Sequence, residues 1–218
     1  MPPRAVLLDL YDTLVDGDWQ GWRTELSILT GIDEDTLGMA YHLTREDRNT
    51  GAYPTSEDSV RALLGAAGLA SPTEDLVHAV VQAEEAFGGE IRLYDDSLPT
   101  VAALRERGDR TALVSNCSHA TRPIVEQLGL PALFDAVLLS FEVGVRKPEP
   151  GIYLAALTAL GADPADAVFV DDQTDYCDGA RALGIDTRLI VREGAEPAEG
   201  FAPSTNGHTV ITDLTALL

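Results

Sequence analysis

Three acidic residues, one lysine and one serine stand where a chain can do chemistry. Asp9 closes the apolar run Ala5-Val-Leu-Leu, and Asp171-Asp172 close another, Ala167-Val-Phe-Val. Ser115-Asn116 end a third run, and Lys147 follows a fourth within Arg146-Lys147-Pro148. Carboxylates crowded at one place repel, so a cation is expected among them. Oxygen ligands beside a phosphate substrate suit Mg2+, which binds through one or two carboxylates and keeps waters. A positioned carboxylate such as Asp9 can attack and form a covalent intermediate. Lys147 would hold Asp9 ionised and offset the substrate anion. Ser115 and Asn116 can donate hydrogen bonds to transferring phosphoryl oxygens, where positioning and charge stabilisation supply most of the rate. Each residue also has a plainer reading. An Asp after a strand often caps a turn or helix, Ser-Asn is common in turns, and a lone lysine is usually a surface charge. The order and spacing of all four sites favour the catalytic reading.

Those residues need a frame that brings them together. The short apolar runs at 5–10, 111–115, 136–140, 167–171 and 186–191 read as strands buried on both faces. Helical spacing predicts helices over 97–107, 120–128, 151–160 and 176–183, the last three followed by Gly129, Gly161 and Gly184. The alternation predicts an α/β fold, a doubly wound Rossmann-like parallel sheet. In such sheets ligands bind outside the carboxyl ends of the strands, where the five residues fall. Residues 16–92 carry no buried-strand pattern. Helices are expected near 20–29, 34–49, 56–67 and 73–86, giving an all-helical cap inserted after the first strand. The expected division is a core of 1–15 and 93–218 with a cap of 16–92. Residues 193–207 read as a surface loop.

Composition narrows the partners. The chain has 218 residues, 45% of them hydrophobic, enough for one α/β domain with a small insertion. The net charge of −21 argues against nucleic acid and anionic membranes as partners. Of 15 basic residues only Lys147 is lysine. No run of apolar residues is long enough to span a bilayer, and the start lacks the regions of a secretory signal. Cys117 and Cys177 lack metal-ligand spacing and read as packing residues, so a reducing, cytoplasmic setting is expected. The expected partner is a small molecule, for a monomer or homodimer.

The four motifs together resemble the haloacid dehalogenase (HAD) superfamily. Val6-Leu-Leu-Asp-Leu-Tyr-Asp-Thr-Leu14 is similar to its first motif and Leu113-Val-Ser-Asn116 to its second. Val145-Arg-Lys-Pro-Glu-Pro-Gly-Ile-Tyr153 is similar to the third, and Val168-Phe-Val-Asp-Asp172 with Gly179-Ala-Arg-Ala-Leu-Gly184 to the fourth. The helical insertion resembles the C1 cap of that superfamily. The resemblance implies a hydrolase with Asp9 as nucleophile, Ser115 binding phosphate and Lys147 balancing charge. It implies Mg2+ held by Asp9, Asp171, Asp172 and the Tyr11 backbone carbonyl. Members with these motifs are mostly phosphatases of small phosphorylated metabolites.

Two positions depart from that pattern. The phosphatases usually carry Asp two residues after the nucleophile as general acid and base, and here it is Tyr11. Tyrosine there is similar to the L-2-haloacid dehalogenase branch, which needs no metal and replaces the fourth-motif acids with Ser and Asn. This chain keeps Asp171-Asp172, and an acidic pair beside Asp9 is costly without a cation, which favours the phosphatase. Asp12 is the substitute acid/base candidate, although its one-residue offset is expected to turn it away. Tyr176 stands where many phosphatases have Asp or Asn. The two tyrosines also leave room for a metabolite-binding protein that has lost catalysis. In the insertion, Trp19, Trp22 and Arg23 form one group of candidates for substrate choice and Tyr41, His42, Arg45, Arg48 and Tyr53 a second, with Tyr11 at the border; cap core is the commoner role for the aromatics. Arg45 and Arg48 can share a helix face, either for an anionic substrate or for pairing with Glu46 and Asp47. His119 follows the second motif closely, which offers it the crevice rim, although a structural or solvent-facing role is the commoner one for such a histidine.

Overall fold

A computed structural model of the chain describes residues 4–192 and 205–218. The expected loop at 193–207 falls largely outside the described residues. Strand β1 (Ala5–Leu8) leads through a tight turn to β2 (Val15–Asp16). Four helices follow: α1 (Trp19–Thr30), α2 (Glu34–Asn49), α3 (Ser56–Ala66) and α4 (Glu74–Gly88). The chain returns through β3 (Arg92–Leu93), which pairs antiparallel with β2. It continues as α5 (Ser97–Glu106), β4 (Arg110–Ser115), α6 (Thr121–Gln127), β5 (Ala136–Leu139), α7 (Ser140–Val143) and α8 (Pro150–Leu160). The last described elements include β6 (Ala167–Asp171), α9 (Thr174–Arg181), β7 (Asp186–Ile190) and β8 (Thr209–Ile211).

Six strands form one parallel sheet in the order β5-β4-β1-β6-β7-β8. Alternation along β1 shows why it is central. Val6 and Leu8 pack with Val101 and Leu104 of α5 and Ile124 and Val125 of α6, while Ala5 and Leu7 pack with α8 and α9. Burying a leucine on either face is worth roughly 1.5–3 kcal/mol, so an all-apolar run is stable only where both faces are covered. Beside β1 the chain reverses its direction of travel through the sheet, the place where α/β folds open a ligand crevice. The described helices include none long and apolar enough to cross a membrane.

The insertion builds its own core from Leu26, Leu37, Val60, Leu63, Leu64, Val77 and Val80. Its second helix ends against the sheet side of the molecule at Gly51. The φ of +72° there suits glycine, and a Cβ would collide with the Phe141 carbonyl oxygen. Three features differ from expectation. The first strand stops at Leu8, although the Asp9 N–H still donates to the Val170 carbonyl at 3.0 Å. The β2–β3 ribbon is too short to leave a periodic signal. Strand β8 widens the sheet with a half-exposed run that lacks the two-faced apolar pattern of the others.

Candidate active site

Asp9, Ser115 and Asp171-Asp172 stand at the carboxyl ends of three adjacent strands. Lys147 reaches them from the loop between α7 and α8. Its ammonium is 1% exposed and donates to Asp9 Oδ1 at 2.5 Å and to Asp171 Oδ2 at 2.6 Å. Burial alone would lower the lysine pKa, but the two facing carboxylates outweigh it and hold the ammonium well above its ordinary value. The Lys147 loop is itself clasped by Asn116. That amide donates to the Lys147 carbonyl at 2.8 Å and accepts from its N–H at 2.7 Å. The expected donation from Asn116 to substrate thus meets a different geometry, in which the side chain positions the lysine.

The acids are arranged asymmetrically. Asp171 Oδ1 accepts from the Gln173 N–H at 2.8 Å while Oδ2 meets Lys147, so both oxygens have donors. Asp172 Oδ1 is buried without any hydrogen-bond partner. Carboxylate oxygens of Asp9, Asp171 and Asp172 lie within 4.8 Å of one another. Burial raises the pKa of Asp171, Lys147 pulls it down, and Asp9 raises it again; the net direction is up. Asp172 is raised by burial and then by Asp171 and Asp9. This donor set fits a divalent cation, because an orphaned carboxylate oxygen and mutual repulsion are both relieved by positive charge. Ser115 is fully buried, and its Oγ also has no partner.

The first-motif turn points its side chains elsewhere. Tyr11 bonds Thr121 Oγ1 through its hydroxyl at 2.8 Å, and burial pushes its pKa far up. Asp12 takes a left-handed backbone, φ 57°, and its Oδ1 accepts from the Trp19 indole N–H at 3.0 Å. Burial raises the Asp12 pKa, opposed by that hydrogen bond.

A cavity of about 500 Å³ lies between the insertion and these strand ends. Tyr11, Asn116 and Gln173 line it from the core, each one or two residues after Asp9, Ser115 or Asp171 on a different strand. Trp19, Trp22, Tyr41 and Phe87 line it from the insertion. Arg45 pairs with neither Glu46 nor Asp47; its Nη2 donates to the Tyr176 hydroxyl at 2.6 Å, linking insertion to core. Arg48 is buried rather than on the surface, donating to Ser59 Oγ at 3.1 Å with Glu84 at 4.0 Å. His119 meets the Tyr53 carbonyl at 2.8 Å and packs on Phe141. Phe87 and Glu84 went unnoticed in the sequence. Glu84 sits between Val80 and Phe87 on the inward stripe of α4, and an acid on an apolar stripe is the signal for it.

A family model for haloacid dehalogenase-like hydrolases matches residues 3–184. Glyceraldehyde 3-phosphate phosphatase from Methanopyrus kandleri is 35% identical over 202 residues, covering 87% of this chain and 84% of that protein. (S)-2-haloacid dehalogenase 1 from a Pseudomonas species is 27% identical over 227 residues, covering 100% and 97%. A HAD phosphatase structure from Thermococcus onnurineus aligns with TM-score 0.64 at 22% identity, over 98% of this chain and 95% of that one, which speaks for the fold. The motifs, the sheet and these matches agree, and the chain belongs to the haloacid dehalogenase-like hydrolases.

Proposed function

We propose that the chain is a Mg2+-dependent phosphatase of a small phosphorylated metabolite, working through an aspartyl-phosphate on Asp9. The carrying observation is the acidic pair Asp171-Asp172 beside Asp9, with Asp172 Oδ1 buried and unpartnered. Asp9 and Asp172, with Asp171 and the Tyr11 carbonyl, would hold the metal. Bound there, Mg2+ supplies positive charge to the transferring phosphoryl group and relieves the carboxylates. The chain's own groups do the rest. Lys147 faces the Asp9 carboxylate with a fixed ammonium and offsets its charge. The Asp9 carboxylate attacks phosphorus, and Ser115 Oγ donates to a phosphoryl oxygen. Water then hydrolyses the acyl phosphate. Residues 16–92 act as a cap over this site and 1–15 with 93–218 as the catalytic core. The setting proposed is cytoplasmic, with no nucleic-acid or membrane partner.

A panel of phosphomonoesters with and without Mg2+ tests this. Metal-dependent phosphate release lost in Asp9→Asn is the expected result; no release from any member would refute it. A second reading, 2-haloacid dehalogenase, is favoured by Tyr11 and by the dehalogenase relative. It requires chloride release from 2-chloropropionate without metal.

A further inference from the structure

The cavity above the strand ends has two properties that bear on substrate class. Its wall is a run of aromatic rings in contact. Tyr11 meets Trp19 edge-on at 5.3 Å between centroids, Trp19 meets Phe87 at 5.2 Å, and Phe87 stacks on Trp22 at 5.3 Å. Several of the polar groups around that wall have partners inside the protein, while His42, Asn49, Ser118 and Gln173 also line the cavity. Arg48 is held by Ser59 and Glu84 and lies 4.5 Å over the Tyr41 ring. Arg45 donates to Tyr176, Asn116 clasps Lys147, and the Tyr11 hydroxyl meets Thr121. A polyol laid against the rings would lose its water partners there, a cost of about 1–3 kcal/mol for each unmet group. A flat apolar body loses little and gains ring contacts.

Leaving-group chemistry points the same way. No carboxylate stands two residues after Asp9, where Tyr11 is bonded to Thr121. Asp12 accepts from the Trp19 indole instead, and Glu84, the acid lining the cavity, faces Arg48. Departure without a general acid forfeits about 10²–10⁴-fold for an alkoxide. It costs far less for an oxygen whose conjugate acid resembles the tyrosine phenol, with a pKa of about 10.

Resting on the phosphatase reading, we propose that the substrate is an aryl phosphomonoester, its planar ring laid against the Trp19–Phe87–Trp22 wall and its ester oxygen attached to that ring. In the reaction an Asp9 oxygen bonds to phosphorus as the P–O bond to the aryl oxygen breaks. The electron pair leaves with the aryloxide, which takes a proton from water. A second water hydrolyses the aspartyl phosphate, releasing phosphate and restoring Asp9.

Three probes on the full chain with Mg2+ separate the two arguments: phenyl phosphate, benzyl phosphate and glycerol 1-phosphate. Benzyl over glycerol reads the wall alone, and a preference of roughly tenfold in kcat/KM is expected from ring contacts. Phenyl over benzyl reads the leaving group, and about 10²-fold or more in kcat is expected. Trp22→Ala should remove most of the benzyl preference. Trp22→Leu keeps apolar bulk without the ring and should do the same while melting close to the parent. Glycerol 1-phosphate turned over as well as benzyl phosphate, or a benzyl preference intact in both folded variants, overturns the aryl assignment and leaves the phosphatase reading standing. No Mg2+-dependent release from any probe overturns both.

Discussion

The four insertion helices and the helices that flank the sheet begin differently. Asp18, Asp33, Thr55 and Thr73 each cap their own helix, accepting from the backbone N–H of Gly21, Thr36, Asp58 and Leu76. Helices α5, α6, α8 and α9 have no side-chain cap. A side-chain cap is worth typically about 1 kcal/mol and needs only neighbours in sequence. The insertion is thus specified locally, helix by helix, around a small apolar core. The sheet domain holds its helices by packing on the strands of the sheet, and its reactive polar groups are joined over long range. Lys147 meets Asp9 across 138 positions and Asn116 across 31. Substitutions at the strand ends should therefore act through charge and be large. Those in the insertion or at its seam should act through contact and be small.

Asp9→Asn is the sharpest way to break that contrast. Loss of the proposed attacking carboxylate should cost about 10⁴-fold or more in kcat while the fold survives, because Lys147 keeps Asp171. Phosphate release and a melting curve on the same sample check it. Activity within tenfold of the parent would remove Asp9 from the chemistry. Lys147→Met comes next. It leaves Asp9 and Asp171 buried face to face without the ammonium, and breaking a buried pair costs about 3–5 kcal/mol. Urea unfolding measures this, and adding Asp171→Asn should recover part of the loss. Full stability in the single variant would mean the carboxylates do not depend on the lysine.

The raised pKa values of Asp171 and Asp172 set a pH dependence with a definite sign. The folded state binds protons more tightly than the unfolded chain at these groups. Their contribution is fully present below the ordinary carboxylate pKa and is lost as pH rises through the raised folded values. Metal-free protein should melt at a lower temperature at about pH 8 than at about pH 5, from this pair alone. On the phosphatase reading Mg2+ would bind the ionised acids, so its stabilisation should grow with pH, reaching about 2.7 kcal/mol at a hundredfold excess over Kd. Scanning calorimetry with and without Mg2+ reads both slopes. A Mg2+ effect that is absent, or larger at the lower pH, would argue against a site on these acids.

The parts legible in the sequence share one property: their cause is local. The two-faced apolar runs at 5–8 and 167–171 mark strands because burial on both sides leaves no room for alternation. The helices of the insertion follow from caps and spacing, and their observed spans lie within a few residues of those expected. Asp9, Ser115 and Asp171 are found by asking what ends each strand. The rest depends on distant partners. Asn116 has the composition of a substrate donor, and only its contact with the Lys147 backbone makes it a clasp. Arg48 looks like a surface charge until Glu84 and Ser59, from other helices, enclose it. Strand β8 has only Ile211 buried, so its two-faced signal is absent.

The seam between the regions offers the smallest and most discriminating change. Tyr176 belongs to both sides: its hydroxyl accepts from Arg45 of the insertion, and its ring lies 5.1 Å from the Lys147 ammonium. Tyr176→Phe removes the first contact and keeps the second. Arg45 is exposed, so the lost hydrogen bond is worth about 1 kcal/mol, near the middle of the range for such bonds. If the bond serves to hold the insertion over the cavity, KM should rise about fivefold with kcat nearly unchanged. A fall in kcat at constant KM would mean the hydroxyl acts on the charged cluster instead, and the division between a locally built insertion and a charge-built core would not hold at this residue. Arg45→Met separates the two outcomes, since it leaves Tyr176 whole and removes the same contact from the insertion side.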